Sequence, residues 1–280
     1  MNSKIFQTKG YKLLSYVVLS LYGLVVAYPI VFMLLTSFKS NKDFFVNLFG
    51  LPQGLEVQNY GTAWTVGKLG QYFGNSALIS VAAVLVTCGV CLLGGYALAK
   101  LRIPGANAIM SAFMVFNFIP GIAIYISLYS MMSRMQLTGG RAGLILPYIA
   151  WSIPFAMYIM KQYFETIPEE LIESGRMDGC SEFQTFFHIM LPLVVPALAT
   201  IVVFTFINNW GELMWANIAT ASNANIKTLP VGLLNFKSEM GVQWGQYTAG
   251  ICMVTVPLML VFAYFQKYFI AGLTNGAVKG

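Results

Sequence analysis

Long apolar runs separated by short polar stretches fill this chain. They cover residues 13–36, about 74–99, 108–132, 143–162, 191–211 and 248–270. Each is close to the roughly twenty residues an α-helix needs to cross hydrocarbon. Inside a bilayer every backbone polar group must be satisfied within the chain, which a helix does by itself. The pattern predicts an all-α integral membrane fold of six transmembrane helices in a single domain, 1–280. Lys4, Lys9 and Lys12 precede the first run, as in a signal peptide. That run is too long for one, and no small-x-small cleavage site follows it, so it reads as a retained helix.

Six spans put both termini on the same side. With the ends inside, the cytoplasmic segments carry Lys4, Lys9, Lys12, Lys100, Arg102, Lys161, Arg176, Lys267 and Lys279. The outside then carries Lys39, Lys42, Lys68, Arg134, Arg141, Lys227 and Lys237. The short N-terminal flank and the 100–107 turn are dense in base, while the long 37–73 loop holds only three. Cytoplasmic termini follow. Pro29, Pro120 with Gly121, Pro147, Pro154, Pro192, Pro196 and Pro257 fall in or beside the spans. Each frees a backbone carbonyl that protein or a water-filled cavity must satisfy. Simple kinking is one reading; spans broken around a cavity or a moving part is the other.

The polar stretch between the fourth and fifth runs differs from the rest. Of the ten acidic residues, Glu165, Glu169, Glu170, Glu173, Asp178 and Glu182 all fall there. Thr166 and Glu169 have capping-box spacing around Pro168, and Ser181 and Gln184 repeat it. Ile167, Leu171 and Ser174/Gly175 share one predicted face. Gly179 suits the left-handed residue that closes a helix. Phe183, Phe186, Phe187 and Met190 recur at i, i+3, i+4 and i+7, one apolar stripe. The stretch 163–192 therefore reads as helix, glycine break, second amphipathic helix, then Pro192 at the mouth of the fifth span. Interfacial helices are usually basic, so the acids argue against one lying on lipid. A solvated hairpin would leave the Phe stripe exposed. A docking element for a soluble partner fits better.

The spacing Glu173-Ser174-Gly175, three residues, Gly179, nine residues, Ile189-Met190-Leu191-Pro192 resembles the EAA loop of ABC-importer permeases. Ser174 and Gly175 stand where alanines are usual. TSFKS after the first run, YFGNS at 72–76, FINNW at 206–210 and the C-terminal YFIAGLTNGAVKG extend the resemblance to the carbohydrate branch. Within it the chain is similar to the second permease of maltose-type systems. The resemblance implies a second related permease, two cytoplasmic ATPase subunits carrying ATP and magnesium, and an extracytoplasmic solute-binding protein. It implies residence in a bacterial-type inner membrane. It assigns ATPase coupling to Glu173, Ser174, Gly175, Asp178, Gly179, Phe183, Phe187, Ile189, Leu191 and Pro192. It also lets the C-terminal tail, with Lys279, reach the ATPases.

Composition narrows the alternatives. Only 9% of residues are charged and 58% are hydrophobic, where a soluble domain is about a quarter charged. The net charge of +6 is scattered between apolar runs, as loop charges at a membrane surface and not as a nucleic-acid footprint. Cys88 and Cys91 form a C-x-x-C inside an apolar run with no histidine near, so we read them as small span residues and expect no metal. GTAWTVGK, 61–68, has one residue too many for a phosphate-binding loop and is followed by Leu69. No catalytic motif is visible, and we expect no cofactor on this chain and no catalysis by it alone. Asn117, Tyr125, Trp151, Asn208, Asn209, Trp210 and Glu212 are the polar or flat candidates for a transport path. Interfacial Trp and Tyr belts, interhelical amide bonds and a snorkelling carboxylate are the competing readings. A self-sufficient secondary transporter would need buried ion-coupling residues, and Glu212 is nearly alone. No Arg or Lys lies clearly inside a span, which favours a neutral solute; glycerol phosphate and amino acids stay open.

Overall fold

The computed structural model describes residues 9–101, 103–238 and 241–277; Lys4, Arg102 and Lys279 lie outside them. Among the described residues the regular secondary structure is helical except for one two-residue antiparallel pair, Lys237–Ser238 with Gly241–Val242. Four helices are long and apolar enough to span a membrane on their own. They are α1 (Lys9–Ser37), α4 (Leu69–Lys100), α7 (Ala142–Glu165) and α14 (Trp244–Ala277). They match the first, second, fourth and sixth predicted spans. The most apolar stretch of α1 buries nothing within the chain, as expected of a helix whose solvent is hydrocarbon.

The third and fifth runs depart from straight spans. The third is a pair, α5 (Ala106–Phe116) and α6 (Gly121–Arg134), bent by 97°. Pro120 is the N-cap of α6, and the residue before a proline is pushed out of the helical region. The fifth bends by 71° between Glu182–Leu193 and α11 (Val195–Gly211). The break falls at Val194, two residues beyond Pro192, so Leu191, Pro192 and Leu193 belong to the rod before the bend. Pro196 explains the position: its ring excludes the carbonyl of Pro192 from the i−4 bond, and it sits harmlessly in the first turn of α11. Pro29, Pro147, Pro154 and Pro257 are carried inside continuous helices. Counting each bent pair once gives six spans.

By internal contacts the chain divides into two units, Met1–Leu69 with Leu233–Met253, and Gly70–Gly232 with Val254–Gly280. In the first, α2 (Asn41–Val46) is capped by Ser40 and α3 spans Gln58–Thr65. The TSFKS stretch is structural here. Lys39 is fully buried and its ammonium donates to the carbonyls of Asn47 and Leu48. Phe44 stacks on Trp244 at 4.9 Å.

The core of the second unit gathers Ile79, Ala83, Met132, Leu144, Tyr148, Trp215, Ala216, Ala219 and Val231. It draws on α4, α6, α7, α12 (Met214–Ala219) and α13 (Leu229–Leu233). Trp215 is completely buried and its indole donates to the carbonyl of Gly143 at 3.0 Å. That carbonyl is the one Pro147 leaves without its i−4 donor. The YFGNS stretch pins the far loop: Asn75 donates to the carbonyls of Asn225 and Lys227, and Ser76 accepts from the Leu229 amide.

Candidate functional site

The acidic loop folds as two short helical arms. α7 ends at Glu165, α8 runs Glu170–Met177, and a rod follows from Glu182 to Leu193. That rod consists of α9 (Glu182–Gln184), a π-helical turn (Thr185–Met190) and α10 (Leu191–Leu193). The expected box at Thr166 does not form; its hydroxyl donates to the Tyr163 carbonyl as the C-cap of α7. The second box does form, with Gln184 N–H donating to Ser181 Oγ and Ser181 N–H donating to the Gln184 side chain. Gly179 adopts φ +80°. Its N–H donates to the Arg176 carbonyl, and the Cys180 N–H to that of Gly175. This is the paired C-terminal closure that requires a left-handed residue.

Gly175 is buried against the rod. A Cβ there would meet Ile189 at 2.7 Å and Thr185 at 3.4 Å. The missing side chain thus lets the two arms of the same loop close on each other. Ile172, not Leu171, shares the inner face with Ile167 and Gly175. The predicted Phe stripe also splits. Phe186 and Met190 are buried, and Phe186 packs edge-on to Tyr96 of α4 at 5.1 Å. Phe183 and Phe187 lie outward, their rings 5.3 Å apart. The π turn is the cause, because it takes more residues per turn than the 3.6 period assumes. Met177, 88% exposed, Phe183, 74% exposed, and Leu171 give the loop outward apolar knobs. Glu173, Ser174 and Asp178 are exposed beside them, Ile189 and Leu191 are half-buried, and Pro192 is exposed. Lys100, at the end of α4, ties the loop's root by donating to the Ile167 carbonyl at 2.6 Å.

A cleft of about 600 Å³ opens between α7 and α11, beside the α5–α6 bend. Tyr148, Trp151, Ser152 and Phe155 line one wall, and Phe204, Thr205, Asn208, Asn209 and Glu212 the other. Tyr148, Trp151, Ser152 and Phe155 on one wall, and Thr205, Asn208, Asn209 and Glu212 on the other, follow helical i, i+3, i+4, i+7 spacing. Asn117 closes the side. Glu212 ends α11 and is held by three donors, the Tyr148 hydroxyl at 2.9 Å and the amides of Trp215 and Ala216 at 2.7 and 2.8 Å. An adjoining apolar cleft of about 770 Å³ includes Asn117, Tyr125 and Trp151. Among the described residues no group of three His, Cys, Asp or Glu could hold a metal.

Residues 91–275 match the family model described as "binding-protein-dependent transport system inner membrane component". The chain belongs to this family. This permease is 34% identical to the arabinooligosaccharides transport system permease protein AraQ of Halalkalibacterium halodurans, over 91% of this chain and 92% of the relative. It is 27% identical to the diacetylchitobiose uptake system permease protein NgcG of Streptomyces coelicolor, over 95% and 88%. Its fold matches a chain in the crystal structure of a bacterial ABC transporter involved in the import of the acidic polysaccharide alginate. That match has a TM-score of 0.77 and 25% identity, covering 94% of this chain and 99% of the other.

Of the path candidates, the permease brings Asn117, Trp151, Asn208, Asn209 and Glu212 together on one cleft and Tyr125 on its neighbour. Trp210 is not among the lining residues. It is buried against Phe73 and Phe206, and its indole donates to the Val254 carbonyl at 3.0 Å. Glu212 is not a snorkelling surface acid, since its oxygens are taken by the chain. Tyr148, Ser152, Phe155 and Thr205 went unnoticed in the sequence, although all four lie in helical register with residues that were singled out.

Proposed function

We propose that this permease forms half of the translocation path of an ATP-driven importer for a sugar or oligosaccharide. The loop 163–192 is the element that couples it to cytoplasmic ATPases. The observation that carries the reading is the outward set Met177, Phe183 and Phe187 on a doubly capped, internally packed two-arm loop. Apolar knobs beside acids suit a groove on a soluble partner. The arms' mutual packing makes the loop a stiff lever, able to pass on a two-state motion of the partner. Ile189, Leu191 and Pro192 run from the lever toward the bend at Val194, so the motion reaches α11 and its cleft wall. The carbohydrate assignment is supported by the arabinooligosaccharide, diacetylchitobiose and alginate systems to which the chain is similar.

The complex then holds this chain, a related permease, two ATPase subunits and an extracytoplasmic binding protein, in a bacterial inner membrane with both termini cytoplasmic. ATP and magnesium sit on the ATPases. The test is affinity purification of the tagged permease from its host in mild detergent, with partners identified by mass spectrometry. We expect an ATPase and a second permease with the parent chain. We expect the ATPase to be lost from Phe183→Asp and Gly179→Arg while the second permease stays. A parent chain that elutes without an ATPase in every detergent tried refutes the reading.

A further inference from the structure

The cleft between α7 and α11 has chemistry beyond being a passage, and the inference drawn from it rests on the carbohydrate reading above. We propose that it is a cargo subsite for an uncharged, polyhydroxylated ring, with Asn209 as a ligand and Glu212 as the group that turns carboxylated sugars away.

Asn209 is only 6% exposed and lines the cleft, yet its side-chain NH₂ has no hydrogen-bond partner in the chain. A buried donor without an acceptor is costly and calls for a ligand or a water. Its neighbours are not in that position: Trp210 donates to Val254, and the Glu212 carboxylate already receives three donors. Asn209 is therefore a donor that the fold holds ready and does not use.

The rest of the lining matches one ligand class. A volume of about 600 Å³ lies within the roughly 300–1,000 Å³ of small-molecule sites. Trp151 on one wall and Phe204 on the other offer flat apolar surface for the C–H faces of a sugar ring. Asn117, Asn208 and Asn209 carry amides, which both donate and accept as ring hydroxyls do.

Charge decides between neutral and acidic sugars. No Lys or Arg is among the lining residues, and Glu212 is the one acid there. Its three donors fix it in place. A uronate in the cleft would bring a second carboxylate beside it with no counter-charge, and like charges in contact repel. The relative structure belongs to an importer of an acidic polysaccharide; on this argument the present permease serves neutral ones.

The complete importer, purified with its partners and binding protein, is placed in proteoliposomes with ATP inside. It is given an equimolar mixture of arabinotriose, diacetylchitobiose, maltose and alginate trisaccharide. Internalised sugars are identified by mass spectrometry. We expect ATP-dependent accumulation of one or more neutral sugars and at least about tenfold less alginate trisaccharide. Asn209→Leu should lower neutral-sugar uptake about tenfold, the scale of one lost hydrogen bond, while the ATPase still co-elutes. Should that variant fail to assemble, Asn208→Leu on the exposed part of the same wall carries the same expectation. Glu212→Gln should narrow the gap between neutral and acidic sugars. Uptake of the acidic trisaccharide alone, or neutral uptake unchanged in an assembled Asn209→Leu or Asn208→Leu complex, overturns this proposal and leaves the importer standing. No ATP-dependent uptake of any sugar overturns the carbohydrate reading and this one with it.

Discussion

Single residues settle much of what composition left open. Trp215 is the donor that repairs the carbonyl of Gly143, orphaned by Pro147 and 72 residues from Trp215 in sequence. Trp215→Phe keeps the ring and removes the donor. It should cost about 1–3 kcal/mol, the usual penalty for a buried group left unpaired, and lower the melting temperature in detergent. An unchanged melting temperature would mean that water reaches the Gly143 carbonyl. The sequence marks both ends of this bond, a proline in an apolar run and a tryptophan, but nothing local links them. Asn209 and Trp210 make the same point. They are adjacent letters, and helix rotation sends one into the cleft and the other into the core.

Secondary-structure elements were legible where the chemistry is local and obscure where it depends on phase. Ser181 with Gln184, and Gly179, announce their caps by identity and spacing, and both form. Thr166 with Glu169 has identical spacing and forms none, because α7 continues to Glu165 and claims Thr166 as its own terminus. Gly179→Ala should destabilise the loop by about 1–2 kcal/mol, the cost of a side chain in the left-handed region. Ser181→Ala should cost about 1 kcal/mol. Protease nicking around Met177 should rise in both, and equal nicking of parent and variants would contradict the closure described. At Gly175 the outcome depends on size. Alanine needs only a small shift of the Ile189 methyl and gains about 1 kcal/mol of helix propensity. Leucine should prise the arms apart and lower transport per ATP hydrolysed, a ratio measurable in proteoliposomes.

At the level of the whole chain, the six apolar runs fall on four straight helices and two bent pairs, with α14 extending several residues past its run at each end. The two bends were not visible as bends. Seven prolines carry the same local signal, yet Pro29, Pro147, Pro154 and Pro257 lie inside continuous helices and the chain bends near Pro120 and at Val194. Orientation can be read directly from the chain's own thiols. Cys88, Cys91 and Cys252 are buried, and Cys180 in the loop is partly exposed. A membrane-impermeant thiol reagent should label Cys180 in inside-out vesicles and spare it in right-side-out ones; the reverse pattern would invert the topology. The π turn has a consequence for heredity as well as mechanics. It holds one residue more than an α-helical path needs, so deleting a single codon within Thr185–Met190 should leave an uninterrupted helix that still inserts. The wide turn already absorbs that residue, so the two flanks would keep nearly the same rotation and Phe183 its outward face. Such a frame-preserving allele should yield a stable, correctly inserted protein that still imports, whereas loss of one codon within the α-helical start of α11, which turns one flank by about 100°, should abolish import; equal loss in both would contradict the wide turn.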